Sequence, residues 1–332
     1  MNFLALLGKL LHIVIVGAAV LPLTAAVLVW AERKVSAFMQ DRLGPNRVGP
    51  AGLLQPIADL LKFIFKEDVV PGHVNRGMYI LAPCLSLVPA LVGFCVVPYA
   101  RGMAIADLNV GILLVFAVSS MGVYGITIGG WASNSKYSLL GGVRSSAQMI
   151  SYELALGLSV IPVFLVTGDL NLERVIAWQA ENVWLVIPLF PAFVIFLVCG
   201  YAETNRLPFD CPEAETELVA GYHTEYSSMK FALFFMAEYI HMITASALTV
   251  TLFFGGYTLP GVVYPEGAWG TMLSGLVFVA KTGFFLFLFI WVRWTLPRFR
   301  YDQLMNLGWK VMLPLSLVVI VVTAGFLTVV RG

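Results

Sequence analysis

Charge is what this chain has least of. Asp, Glu, Lys and Arg make up only 12% of its 332 residues, about half the share of an ordinary soluble domain. Hydrophobic residues reach 59% and the mean hydropathy is +0.87, so the class is a polytopic membrane protein. A net charge of +1 gives a nucleic acid nothing to bind electrostatically. Cysteine is equally scarce. Cys84, Cys95, Cys199 and Cys211 form no C-x-x-C pair, which argues against an iron–sulfur or zinc site within the chain. They read as small apolar fillers. Of four histidines only His12 and His241 fall in apolar stretches, and one such pair is thin ground for haem ligation. No nucleophile–base arrangement stands out. The first apolar run continues to Ala31 without an A-x-A site, unlike a cleaved signal peptide.

What the chain has is long apolar runs. A helix needs about 20 such residues to cross the hydrocarbon, and eight stretches qualify: 10–31, 77–99, 109–130, 149–167, 183–202, 231–254, 271–292 and 311–330. The expected fold is therefore an all-α integral membrane protein, one polytopic domain over 1–332. Pro83, Pro89, Pro162, Pro188 and Pro191 lie within spans, where membrane helices tolerate them as kinks.

Lysine and arginine set the expected orientation. The odd-numbered loops hold fifteen: Arg33, Lys34, Arg42, Arg47, Lys62, Lys66, Arg76, Lys136, Arg144, Arg206, Lys230, Arg293, Arg298, Arg300 and Lys310. The other side has four, Lys9, Arg101, Arg174 and Arg331. By the positive-inside rule the odd loops face the cytoplasm and both termini the periplasm. The inner loops are also the long ones.

In the first inner loop Leu53, Ile57, Leu60, Leu61 and Ile64 recur at helical spacing, opposite Gln55, Asp59, Lys62 and Lys66. Pro56 suits a first helical turn. The segment 53–66 is expected to be an amphipathic helix lying in the membrane interface. It is either a structural collar or one wall of an entrance for a lipid-borne ligand.

The residual charge is concentrated. Residues 203–238 carry Glu203, Asp210, Glu213, Glu215, Glu217, Glu225 and Glu238, with only Arg206 and Lys230 among them. Acids in or beside a bilayer are costly and usually mark a proton or ion path. Glu153, near the start of the fourth span, and Glu238, in the sixth, are expected to face the bundle interior, as is Lys281 in the seventh. Glu213 and Glu217 are one helical turn apart, and crowded carboxylates raise each other's pKa.

Four segments are distinctive: AERKVSAFMQDRLGPNRVGPAGLLQPIADLLKF, GWASNSKYSLLGGVRSSAQMISYEL, AETNRLPFD…EAETELVAGYHTEYSSMKFALFFMAEY and PRFRYDQLMNLGWK. Together, in order, they resemble the quinone-site membrane subunit of respiratory complex I, which is the H subunit of the bacterial enzyme and subunit 1 of the mitochondrial one. The resemblance implies an eight-helix subunit docked on the hydrophilic arm, walling a quinone tunnel from which an acidic path leads toward antiporter-like subunits. Residue by residue, Glu32, Arg33 and Arg42 match the tunnel mouth, Asp59 and Lys62 the interfacial helix, and Phe231 and Phe235 the apolar channel. Arg206, Asp210, Glu203, Glu213, Glu215, Glu217 and Glu225 match the inner acidic loop. Glu153 and Glu238 match the embedded carboxylates, and Arg293 and Arg298 basic residues facing the same cavity. Cys211 and Thr216 depart from the usual pattern without changing charge.

The implied function is a membrane subunit of proton-pumping NADH:quinone oxidoreductase. Quinone is the substrate, no cofactor or metal is bound by this chain, and NADH, FMN and iron–sulfur clusters belong to partner subunits. Partners are the hydrophilic quinone-module chains, neighbouring small membrane subunits and lipid. The location is a membrane, a bacterial inner membrane in preference to a mitochondrial one. The alternatives are the equivalent subunit of a membrane-bound hydrogenase or related reductase, a free-standing cation or proton transporter, and a structural anchor. The first lacks a reason for the intact GPN and PFD elements. The second lacks an internal repeat, and the third leaves the embedded acids unexplained.

Overall fold

The computed structural model describes residues 11–211 and 215–331, and among these the regular structure is helical, with only an isolated bridge between Ala100 and Met103. In chain order the helices are α1 (Leu11–Met39), α2 (Gln55–Phe65), α3 (Arg76–Phe94), α4 (Gly111–Ala132) and α5 (Lys136–Thr167). There follow α6 (Leu172–Glu181), α7 (Phe190–Glu203), α8 (Glu215–Leu218), α9 (Ser228–Phe253) and α10 (Ala268–Thr295), then α11 (Tyr301–Val330). Seven of them, α1, α3, α4, α5, α9, α10 and α11, are long and apolar enough to cross a membrane.

The stretch 183–202 takes a form that hydropathy alone does not specify. Its helix begins only at Phe190, with Pro191 in the first turn. Pro188 disfavours the helical region for Ile187 before it, whereas Pro191 is tolerated in the first turn, where its missing N–H costs nothing. The preceding segment folds instead as turns, anchored by Val186 N–H on the Phe253 carbonyl at 3.0 Å. What remains is 14 helical residues, about 21 Å at 1.5 Å per residue, against a hydrocarbon core of about 30 Å.

Small residues let the long helices approach closely, the usual means of helix packing in lipid. A methyl group on Gly125 of α4 would strike the Ser86 side chain of α3, and one on Gly130 the Ser138 carbonyl of α5. At Gly141 the α5 backbone presses directly on Gly221 and Tyr222, which pins the returning end of the acidic loop to the bundle.

Burial ranks the helices. In α9, 56% of the apolar window is buried within the chain, against 11% in α11. α9 is the hub, packing on α1, α2, α3, α6, α7 and α10. Glu238 and His241 are therefore carried by the most enclosed helix. α2 lies at the edge, with Ile57, Leu60, Leu61, Ile64 and Phe65 all exposed. Ser228 Oγ at the start of α9 donates to the Phe63 carbonyl at 2.8 Å and ties the two together.

Candidate functional site: a buried charge cluster and the acids beyond it

Four chain segments converge at one end of the bundle. Arg206, just past the end of α7, is 4% exposed, and Glu32 of α1 is 5% exposed. Arg206 Nη1 donates to both carboxylate oxygens of Glu32, at 3.0 and 3.1 Å. Its Nε stands 2.5 Å from Glu238 Oε1 of α9. The guanidinium lies over the Tyr239 ring, 4.3 Å from its centroid, a cation–π contact that gains strength where water is excluded. Tyr239 Oη donates to Glu32 at 2.7 Å, and Arg293 of α10 pairs with the same carboxylate. Beside this group Arg298 Nη2 meets Asp210 Oδ2 at 2.9 Å. Three acids thus face three guanidiniums.

That balance explains how charge survives here. Burial opposes the Arg206 charge, yet Glu238, Tyr239 and Glu32 together hold its pKa above the ordinary arginine value. Asp210 shows the opposite outcome. Desolvation raises its pKa despite the opposing Arg298, Arg293 and Arg206 charges, so it holds a proton more readily than a solvated aspartate.

Arg206 is positioned by a side chain the sequence did not flag. Gln148 of α5 is fully buried, and its Nε2 donates to the carbonyls of Ala202 at 2.8 Å and Phe209 at 2.7 Å, and to Asn205 Oδ1 at 3.1 Å. These bonds bracket Arg206 in sequence and fix the turn that presents it. A buried amide left without such partners costs about 1–3 kcal/mol, which makes the turn rigid.

Next to the cluster a cavity of about 460 Å³ opens between α1, α9 and α10, lined by Glu32, Arg33, Arg42, Phe235, Tyr239 and Arg293 among others. An aromatic file leads toward it from α2. Phe63 packs on Phe231 with centroids 6.0 Å apart, Phe231 stacks on Phe235 at 5.9 Å, and Phe235 meets Tyr239 edge-on at 4.9 Å. At the rim Arg33 pairs with Asp59 at 2.5 Å, and Gln55 Nε2 reaches the same aspartate at 3.1 Å. Lys62 is exposed on α2.

On the far side of Glu238 the polar groups continue into the bundle. Two cavities of about 30 Å³ each adjoin there, one lined by Glu238, Glu203 and His241 and the other by Glu203, His241 and Ser119. Glu203 is hydrogen-bonded by Ser119 and lies within electrostatic range of Glu153, which accepts from Ser120.

The remaining acids sit elsewhere. Glu217 makes an exposed ion pair with Arg144 at 2.9 Å. Glu225 contributes its backbone carbonyl to Tyr79 Oη at 2.6 Å. Glu215 belongs to α8, but its side chain, like the whole of Glu213, lies outside the described residues, as does Lys9. Lys281 has no part in the cluster. It donates to the carbonyls of Phe254, Gly256 and Thr258 at 2.7, 3.0 and 2.5 Å and lies over the Trp184 ring, which satisfies the open end of α9. His12 bonds Tyr99, so the two histidines within spans serve separate surroundings.

Sequence reasoning missed Tyr239, Gln148, Ser119, Ser120 and His241. Two of these carried a usable signal: Tyr239 follows Glu238 directly, and His241 lies three residues beyond it on the same helix face. Gln148 and the serines become legible only once helices are packed.

A helical bundle with balanced charge at one end, acids beyond it and seven membrane-length helices defines an integral membrane protein. The comparisons make the class specific. The family model for NADH dehydrogenase matches residues 11–324, and the chain belongs to that family. It is similar to NADH-quinone oxidoreductase subunit 8 of Rhodothermus marinus, with 54% identity across 91% of this chain and 92% of the relative. It is also similar to the NADH-quinone oxidoreductase H subunit of Rhodospirillum rubrum, at 53% across 93% and 92%. The H subunit from Rickettsia bellii is 53% identical across 92% and 89%.

Proposed function

We propose that this chain is the membrane subunit of a proton-translocating NADH:quinone oxidoreductase that walls the quinone chamber and passes the consequence of quinone reduction into the membrane. The reading has seven long spans, α7 with its preceding turns as an eighth crossing, and α2 lying in the interface. All form one domain, with odd loops on the cytoplasmic side of a bacterial inner membrane. Electrons come from NADH through FMN and iron–sulfur clusters held by the hydrophilic partner chains, and neighbouring membrane subunits receive the coupling.

The observation that carries the reading is the 460 Å³ cavity. One wall of it is aromatic, as an isoprenoid quinone requires, and another carries Glu32 and Arg293, with Arg206 paired to Glu32 behind them. Quinone reduction to quinol consumes protons and adds negative charge while it proceeds. A set of three acids and three guanidiniums responds strongly to such a change, because little water is present to screen it. Glu32 and Glu238 share Arg206, so a proton gained by one frees the guanidinium to pair more closely with the other. Glu203 and Glu153 continue the line away from the cavity. Asp210 with Arg298, and Glu213, Glu215, Glu217 and Glu225 on the loop, supply and exchange protons at the inner surface. Arg33, Arg42, Asp59 and Lys62 form the rim, with Phe231 and Phe235 along the entry.

The test is direct. Membranes are solubilised mildly, separated by blue-native electrophoresis and probed with a photoreactive ubiquinone analogue. A large NADH-oxidising assembly containing this chain, labelled on α1 or α9 and protected by excess ubiquinone, is the expected result. A free 36.3 kDa species without label would sink the proposal.

A further inference from the structure

His241 stands in the line of acids but takes no part in the charge cluster, and its place is unusual. It lies on α9, three residues past Glu238, and its imidazole contributes to both small cavities. Only the first cavity includes Glu238, only the second includes Ser119, and Glu203 lines both. Each has a volume of about 30 Å³, room for a single water. The remaining walls are largely apolar, with Phe234 and Ala237 on one side and Leu248 and Phe196 on the other. A water in either place needs polar partners. Thr204, the side chain with a hydroxyl in both linings, spends its hydrogen on the Gly200 and Tyr201 carbonyls, while Ser86, Asn205 and Tyr222 line only the Glu238 cavity. Gly122 of α4 faces the ring, and a methyl built there would come 3.5 Å from Nε2. The space beside the imidazole is thus kept open by the absence of a side chain on the adjoining helix.

From these placements we propose that His241 is the side chain that joins the two cavities into one water-bridged link between Glu238 and the Glu203–Ser119 pair. One ring nitrogen accepts from the water beside Glu238, and the other, carrying its hydrogen, donates to the water beside Glu203. A proton leaving the Glu238 carboxyl bonds to the first water as that water passes one of its own to the second water, which gives one to the Glu203 carboxylate. The O–H bond broken at Glu238 is matched by the one formed at Glu203, and the waters and the imidazole are left chemically unchanged. The acids facing this point are Glu238 of α9, Glu203 of α7 and, behind Ser120, Glu153 of α5. The cation paired with Glu238 is Arg206, which also holds Glu32. His241 is here a positioning residue, acting through bound water. The inference rests on the proposed function and deepens it.

The experiment uses the assembled complex in inverted membrane vesicles, with NADH-driven quinone reduction and vesicle acidification measured together. His241→Phe keeps the ring volume and removes both polar atoms. It is expected to lower acidification per quinone reduced at least fivefold, at an unchanged amount of complex and unchanged KM for quinone. His241→Asn, which can hold water at the same point, is expected to restore at least half of the wild-type ratio. Gly122→Val, which fills the space from α4 without touching a charge, should mimic His241→Phe. A wild-type ratio in His241→Phe overturns the inference, as does equal loss in His241→Asn. If the phenylalanine variant fails to assemble, the Gly122→Val ratio decides in the same way. Failure of the function itself is separately visible, because then wild-type vesicles would show no NADH-driven quinone reduction by an assembly containing this chain.

Discussion

Arg206 holds together more of the site than any other residue. It is bidentate to Glu32, close to Glu238 and stacked over Tyr239. Removing one partner from a buried ionic group leaves an uncompensated charge and costs about 3–5 kcal/mol, whereas replacing the whole group by apolar residues can be neutral. Arg206→Gln is therefore expected to reduce the quantity of assembled complex severely in a blue-native titration of detergent extracts. Adding Glu238→Gln should recover part of it. If the single variant assembles at wild-type level, the guanidinium is not what balances these acids. At this scale the sequence was informative about identity but not partnership. Glu238 stood out as an acid within an apolar span and Arg206 as a cation within the acidic run, whereas Glu32, Arg293 and Arg298 were marked as site residues by the family resemblance. The acidic run seemed to lack balancing cations, because Arg144, Arg293 and Arg298 arrive from other helices and loops that spacing along the chain cannot bring together.

Elements carry the next set of consequences. The loop between α7 and α9 returns to the bundle through Gly221–His223, and His223 packs edge-on against Tyr222 and Phe231. Burial lowers the His223 pKa from 6.5 to about 4. Between those values the unfolded loop binds a proton that the folded loop refuses, so stability rises with pH through that window and is lost as pH falls. The slope is at most about 1.4 kcal/mol per pH unit. The protection factor of the segment containing His223, its exchange rate relative to unstructured peptide at the same pH, is expected to be lower at pH 5 than at pH 7.5, and His223→Gln should flatten the difference. A protection factor independent of pH in the wild type would falsify this account. Helix positions were the most legible feature of the sequence, since length and apolarity alone specify a lipid-crossing helix. The start of α7 was not legible in the same way. Pro188 and Pro191 look like ordinary membrane kinks in a hydropathy scan, and only packing of Val186 onto the end of α9 reveals a broken entry.

For the molecule as a whole, the distribution of burial matters most. The hub helix α9 is enclosed, whereas α1 and α11 keep most of their apolar surface outward, with 22% and 11% of their windows buried. Such faces meet lipid or other membrane subunits. The acids progress from Asp210 in the loop after α7, through Glu238 and Glu203, to Glu153 on α5, and the direction is into the bundle. If that direction is functional, Glu203→Gln, which keeps size and hydrogen bonding to Ser119 but fixes the charge at zero, should lower NADH-driven vesicle acidification several-fold without loss of assembly. Glu217→Gln, at an exposed ion pair worth about 0–1 kcal/mol, should have the smaller effect. Equal and undiminished acidification in both variants would remove the directional argument. The class of protein and its family motifs were readable from composition and sequence. The cavities and the serine contacts were not, because each depends on which faces of three helices meet.

Lys281 gives this arrangement a mechanical sense. By capturing three carbonyls just beyond the last turn of α9, it clamps that helix at the end farthest from the acids. With Ser228 at its other end bonded to α2, α9 is a beam fastened at both ends, so a load applied at Glu238 between them can bow the helix but cannot swing it free.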